Sequence, residues 1–308
     1  MPPSRIEVIV NQNSGTEGER SDIKTRIEEA FRAHNLEANV SVADNGEELM
    51  KLAGQAAKSD AEIIVAGGGD GTVSGVASKI VETEKTLGVL PLGTLNHFAK
   101  DLQIPLNLED AVRVVAENHT KKIDVGEANG RIFINNSSIG LYPQIVKNRE
   151  RQQERLGRGK WWAAFWAATS ILLRYPFFAV RLKVKGEEFI RRTPFVFIGN
   201  NEYEMDIFKV GSRRCLDAGR LSLYLLRRTG RLGLLLLALR TVFGALRRAK
   251  DFDAFCADEI EIETRRKRVL VAFDGEVALM RSPLRYRSRP SALRVIVPKE
   301  TEGADNGG

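Results

Sequence analysis

Apolar residues follow two different rhythms along the chain. In the first part short apolar runs alternate with helical patterns. Ile6–Val10 is a β-branched run, and Ser21–Ala33 puts Ile23, Ile27, Ala30 and Phe31 on one helical face. Ala38–Val42 reads as a strand and Glu47–Lys58 as a helix rich in Ala, Leu and Glu. Glu62–Ala66 is a buried-strand run that leads directly into glycines; Thr72–Val81 is a further helix and Thr86–Leu90 a further strand. This alternation predicts an α/β half with a parallel sheet covered by helices.

Near residue 120 the rhythm changes to short strands and turns. Ile123–Ala128 and Arg131–Asn135 flank Asn129-Gly130, a strong hairpin signal. Ala179–Val184, Phe195–Ile198, Leu221–Leu226, Glu259–Glu263, Val269–Phe273 and Leu293–Val297 read as further strands. The second part is therefore expected to be mostly β, with helical interruptions. No internal repeat is visible, and the polar, Gly-rich residues 299–308 are expected to be disordered.

Composition narrows the function classes. A length of 308 residues suits two domains. The net charge of +7 favours polyanionic partners without choosing among nucleotide, anionic membrane and nucleic acid. Cys215 and Cys256 form no Cys-x-x-Cys pair, and His34, His97 and His119 are scattered, so zinc chemistry is not expected. The N-terminus does not read as a signal peptide. No run reaches the roughly 18 uncharged apolar residues of a membrane span. A cytoplasmic protein is expected, in contact at most with the inner face of the membrane.

Three loops carry the candidate chemistry. Gly67-Gly68-Gly69-Asp70-Gly71-Thr72 lies between a strand and a helix, where glycines allow close backbone approach and a helix start favours an anion. It matches neither the Walker loop nor the dinucleotide fingerprint. A carboxylate there, Asp70, is expected to serve a cation or a proton transfer. Pro91-Leu92-Gly93-Thr94-Leu95-Asn96-His97-Phe98-Ala99 also follows a strand and opens a helix, and Asn11-Gln12-Asn13-Ser14-Gly15 follows the first strand. Loops at the carboxyl ends of parallel strands share one crevice, so all three can face one nucleotide. Downstream, Phe273-Asp274-Gly275-Glu276 alone reads as an ordinary turn.

Taken in order, Gly68–Thr72, Pro91–Asn96 and Asp274–Glu276 resemble the diacylglycerol kinase catalytic family, which includes bacterial lipid kinases and sphingosine kinases. Asn11–Gly15 is similar to that family's Asn-Pro-x-Ser-Gly element, with Gln12 in place of Pro. The resemblance implies an NAD kinase/diacylglycerol kinase-like nucleotide domain over residues 1–122 and a C-terminal β-sandwich lipid-substrate domain over 123–288. It implies that a last strand at 289–298 returns to the first domain, and that ATP and Mg²⁺ are used, with ATP in a cleft. By the same resemblance Gly67, Gly68, Gly69, Gly71 and Thr72 hold phosphates, Asp70 is tied to Mg²⁺ or catalysis, and Gly93, Thr94 and Asn96 contact nucleotide. Glu276 matches the proton acceptor and Asp274 its companion. The sequence leaves the base open between Asp70 and Glu276, with Glu276 preferred and Asp70 organising Mg²⁺. His97 stands where the family often has Asp. In Leu216-Asp217-Ala218-Gly219, Ala218 takes the place of an Asp that binds a structural metal in many bacterial members, which puts that metal in doubt.

A lipid acceptor implies membrane contact. Trp161–Leu173 follows a basic stretch, and Arg231–Arg248 lies in a run, Ala218–Lys250, with eight basic residues and no acidic one. Both suit either an interfacial helix on anionic lipid or the core of the second domain. Nucleic acid is disfavoured because the basic residues sit beside aliphatic surfaces. NAD kinase, hinted at by Asn200-Asn201-Glu202, and a non-catalytic lipid-binding module are the rival readings. Neither the acceptor lipid nor the choice between monomer and homodimer is written in the sequence.

Overall fold

The structure, a computed structural model, describes residues 5–12, 22–140, 177–201, 216–226 and 252–299. The chain divides into two compact units, one of residues 1–123 with 291–308 and one of residues 124–290.

The first unit is α/β. Strands β1 (Ile6–Asn11), β2 (Ala38–Ala43), β3 (Ile63–Gly68) and β4 (Thr86–Pro91) are parallel in the order β2-β1-β3-β4. Every residue of β3 and β4 is buried, as expected for central parallel strands covered on both faces. Helix α1 (Ile23–Arg32) packs against α5 (Leu108–Glu117), and α2 (Gly46–Ala56) against α3 (Asp70–Ile80). Each amphipathic helix turns its apolar stripe inward; in α1 these are Ile23, Ile27 and Phe31. Local chemistry sets the helix starts. Asn45 accepts from the Glu48 N–H at 3.0 Å while Glu48 accepts from the Asp44 N–H at 2.8 Å, a reciprocal cap for α2. Asn107 caps α5, its Oδ1 accepting the Asp110 N–H at 2.8 Å. The short helix α4 (His97–Asp101) follows β4.

Two strands pass between the units. Strand β5 (Thr120–Ala128) leaves the first, and β16 (Leu284–Ile296) enters it, Arg294 and Val295 pairing in parallel with Thr86 and Leu87 of β4.

The second unit is a β-sandwich. One sheet runs antiparallel as β12 (Phe252–Ala257), β11 (Leu221–Leu226), β10 (Phe195–Asn200), β7 (Asn136–Gly140), β14 (Arg268–Phe273) and β15 (Glu276–Arg281). The other contains β8 (Phe178–Val184), β9 (Glu187–Thr193), β13 (Glu259–Thr264) and the first half of β16, while β6 (Arg131–Phe133) pairs with β5. Val180, Leu182, Ile260, Ile262 and Tyr286 from one sheet bury against Ile139, Val196, Ile198, Leu223 and Val271 from the other. That alternation in and out of one core is what a sandwich requires.

Three differences from the sequence reading have physical causes. The strand expected over Arg131–Asn135 breaks after Phe133, and the N–H groups of Ile134 and Asn135 turn to a side chain instead of a ladder. The strand expected to begin at Leu293 begins at Leu284, because its first half alternates Arg and Ser with buried Leu284 and Tyr286 and lacks an apolar run. Edge strand β9 escapes an apolar-run criterion because charged residues flank Phe189 and Ile190, and edge strand β15 because its apolar run, Val277–Met280, is only four residues long. Among the described residues no helix is long and apolar enough to cross a membrane. Trp161–Leu173 and Arg231–Arg248 lie outside them.

Candidate active site

In the first unit the two glycine-bearing loops meet at the carboxyl ends of β3 and β4. Gly67 and Gly68 still belong to β3, pairing with Leu90 and Pro91, and Gly69 starts α3. None of Gly67, Gly68, Gly69, Gly71 and Gly93 has a positive φ. The need is for space rather than turning. A Cβ on Gly93 would stand 2.4 Å from the Cα of Gly69, and one on Gly68 would stand 2.5 Å from Oγ1 of the buried Thr72. Only glycine lets the two loops touch.

Asp70 ties them. Its Oδ2 accepts the His97 N–H at 3.1 Å and its Oδ1 the Phe98 N–H at 2.9 Å. The sequence argument that a metal or a proton alone accounts for this carboxylate is thereby corrected: it also caps the start of α4. Asn96 closes its own loop. Its Nδ2 donates to the carbonyls of Pro91 at 3.0 Å and Gly93 at 2.8 Å, its Oδ1 accepts the Gly93 N–H at 3.1 Å, and its backbone is left-handed. The Asn96 amide thus shapes the loop, leaving Thr94 exposed on it. Asn11, ending β1, donates to Thr72 Oγ1 at 3.4 Å. Asn13, Ser14 and Gly15 lie outside the described residues.

This arrangement places the start of an eleven-residue helix, α3, at the carboxyl edge of a parallel sheet. That position suits phosphate. Mg²⁺ commonly takes one or two carboxylates and completes its shell with phosphates and water. Asp70 is the carboxylate that this loop offers to such a cation. Among the described residues no group of three or more His, Cys, Asp or Glu could hold a metal without such help.

In the second unit Asp274 and Gly275, at φ 47° and 91°, form the two-residue turn between β14 and β15. This is the hairpin geometry that Asp-Gly favours. The Asp274 carboxylate does more than turn the chain: it accepts the N–H groups of Ile134, Asn135 and Asn136 at 2.8, 2.8 and 2.9 Å. Those contacts lock the hairpin to the break between β6 and β7. Glu276, the next side chain, is exposed and pairs with Arg131 at 2.8 Å. The Arg131 guanidinium also sits over the buried Phe273 ring, 5.0 Å from its centroid. Nothing in the sequence ties Arg131 to Glu276, 145 residues apart.

Asp124 is a second residue that sequence reasoning missed, although a carboxylate beside Ile123 and Val125 in the strand read over Ile123–Ala128 signals it. It is buried and accepts the Gly219 N–H at 2.6 Å, while its own N–H donates to the Leu216 carbonyl at 2.8 Å. Ala218 N–H donates to Asn201 Oδ1 at 3.2 Å, and Asn200 Nδ2 donates to the carbonyls of Asp124 and Ile134. The bend at 216–219 is therefore held by direct hydrogen bonds.

Two family models match this chain. The diacylglycerol kinase catalytic domain covers residues 5–128, and the YegS C-terminal NAD kinase beta sandwich-like domain covers residues 145–297. Among curated proteins, the diacylglycerol kinase of Staphylococcus haemolyticus is 34% identical over 140 residues, covering 45% of this chain and 42% of that protein. The one from Staphylococcus epidermidis is 33% identical over 146 residues, covering 46% and 45%. The matched stretch spans less than half of these relatives' length. A crystal structure of a diacylglycerol kinase from Bacillus anthracis has the same fold, at a TM-score of 0.70 and 21% identity, covering 97% of this chain and 98% of that one. With both halves matched in order, the chain belongs to the diacylglycerol kinase catalytic-domain family.

Proposed function

We propose that this protein is a lipid kinase that transfers the γ-phosphate of ATP to the hydroxyl of diacylglycerol or a related lipid. The observation that carries the reading is the pair of glycine loops at the ends of β3 and β4, in contact at Gly69 and Gly93 and tied by Asp70. Family membership supports the same chemistry.

Phosphoryl transfer asks for in-line positioning and neutralisation of charge more than for covalent help. The start of α3 and the glycine backbone are suited to hold the triphosphate. Mg²⁺, when bound, supplies neutralisation, with Asp70 as its protein ligand. The lipid oxygen attacks the γ-phosphorus, and the bond from that phosphorus to the β–γ bridging oxygen breaks, its electron pair leaving on ADP. The hydroxyl proton passes to a carboxylate. Glu276 is the better candidate, because Asp70 already accepts two backbone N–H groups whereas Glu276 is exposed and held by one arginine. Asp274 then acts as the residue that positions the hairpin.

The test is purified protein with γ-labelled ATP, Mg²⁺ and a panel of diacylglycerol, sphingoid base, phosphatidylglycerol and a polyprenol, with NAD as control. Label in one lipid supports the proposal. Label in NADP, or in none of the lipids, overturns it.

A further inference from the structure

The far end of the β14–β15 hairpin carries a surface that phosphate transfer does not use. Here the chain crosses twice between the sheets of the sandwich, at 265–267 from β13 to β14 and at Ser282-Pro283 from β15 to β16. The two crossings are stitched together. Thr264 N–H donates to Ser282 Oγ at 2.9 Å, Ser282 N–H to the Lys267 carbonyl at 3.1 Å, and Thr264 Oγ1 to the Arg266 carbonyl at 2.8 Å.

This ordered corner presents Arg265, Arg266, Lys267, Arg268 and Arg281, all exposed. The nearest acidic residue along β13, Glu263, pairs with Arg181 at 3.6 Å instead. Among the described residues none of the five basic side chains has a carboxylate partner. Arg268 and Arg281 stand directly opposite each other in the ladder. Like charges in that register work against the sheet, so the fold does not account for them. Beside them, Leu270 and Leu279 form the next pair on the same face, away from the core-facing Val269, Val271, Ala278 and Met280. Leu279 is 59% exposed.

We propose that this corner is a docking surface for anionic lipid bilayer, with the arginines and Lys267 on headgroup phosphates and Leu279 at the acyl boundary. Cations without a carboxylate partner among the described residues, set around an exposed leucine, have the complementarity of a bilayer surface. A surface for single-stranded nucleic acid would carry stacking aromatics, whereas the apolar neighbour here is aliphatic, and duplex binding through phosphates alone leaves an exposed leucine without a role. The choice of a lipid surface rests in part on the proposed lipid acceptor, but binding is measured without any phosphate transfer, so the two readings fail separately.

The experiment is sedimentation of the full chain with phosphatidylglycerol/phosphatidylcholine vesicles and with phosphatidylcholine alone. The wild type is expected to bind the anionic vesicles in a salt-sensitive way. The combined Arg265→Glu, Arg266→Glu and Lys267→Glu variant should lose roughly tenfold or more of that binding, and Leu279→Ser a smaller part. A matching Gln set, milder to the fold, should fall between wild type and the Glu set, with all variants matched by circular dichroism. Three results overturn the proposal: no wild-type binding to anionic vesicles, unchanged binding by folded Glu and Gln sets, or variants that lose duplex DNA binding while keeping vesicle binding.

Discussion

Replacing Asp70 tests whether the carboxylate joins the two loops as well as serving chemistry. It accepts the N–H groups of His97 and Phe98, and Phe98 is fully buried. Hydrogen bonds to a charged group contribute about 1.5–3 kcal/mol each, and a half-buried donor left without a partner loses most of that. Asp70→Ala should therefore cost about 2–4 kcal/mol, allowing for non-additivity and partial rescue by water. Asp70→Asn keeps one acceptor oxygen and turns an amide N–H₂ toward the other donor, so about 1–2 kcal/mol is expected. The assay is hydrogen exchange at the His97 and Phe98 amides, together with a urea unfolding curve. In Asp70→Ala both amides should exchange at least tenfold faster than in wild type, and in Asp70→Asn only one should. Both variants should lose phosphate transfer, since the proposed Mg²⁺ ligand is gone or uncharged. Unchanged exchange at both amides in a folded Asp70→Ala protein would refute the structural half of the argument. Wild-type turnover in Asp70→Asn would refute the chemical half.

Two further outcomes follow from side chains of the second unit. Arg131→Met should lower kcat by roughly ten- to hundredfold through a misplaced Glu276, with KM for ATP and the unfolding midpoint little changed, since an exposed ion pair contributes only about 0–1 kcal/mol; Arg131→Lys should recover part of the rate. Equal kcat in wild type and Arg131→Met would leave that guanidinium without a role in transfer. Burial pushes the Tyr286 hydroxyl well above the usual tyrosine value, opposed in part by its 3.0 Å contact with Ser137. The unfolded chain then gives up this proton first, so stability is intact below about pH 10 and falls above it. Urea midpoints from mildly to strongly alkaline pH should show that fall in wild type and a shallower one in Tyr286→Phe, and parallel curves would exclude it.

Fold class was legible in the sequence because periodicity records burial. Buried β3 and β4 are continuous apolar runs, α1 shows its stripe, and Asn129-Gly130 announces a hairpin and Asp274-Gly275 a turn, all four residues taking positive φ. Strand β9, with Glu188 and Arg192 on its outward face, left no such trace, and the four apolar residues of β15 were too short a run to be read. The positions of the candidate loops were also readable, since glycine after a buried strand and before a helix is a local pattern. What their polar atoms do was not, because the partners are remote in sequence: Asp70 reaches 27 and 28 residues onward, and Asp274 reaches back 138 to 140. Asn96 shows the opposite limit. Its partners lie within five residues, yet the resemblance directed attention to nucleotide rather than to the turn that its amide closes.

The central claim is that this chain moves phosphate onto a lipid hydroxyl with Glu276 taking the proton. It is tested most directly by following γ-label from ATP into the lipid extract of diacylglycerol mixed micelles, wild type beside Glu276→Gln, at matched ATP binding. Labelled phosphatidic acid should accumulate with wild type and form about 10²–10⁴-fold more slowly with the variant. Label that stays in ATP or appears only as free phosphate would contradict the account, and so would equal rates for the two proteins.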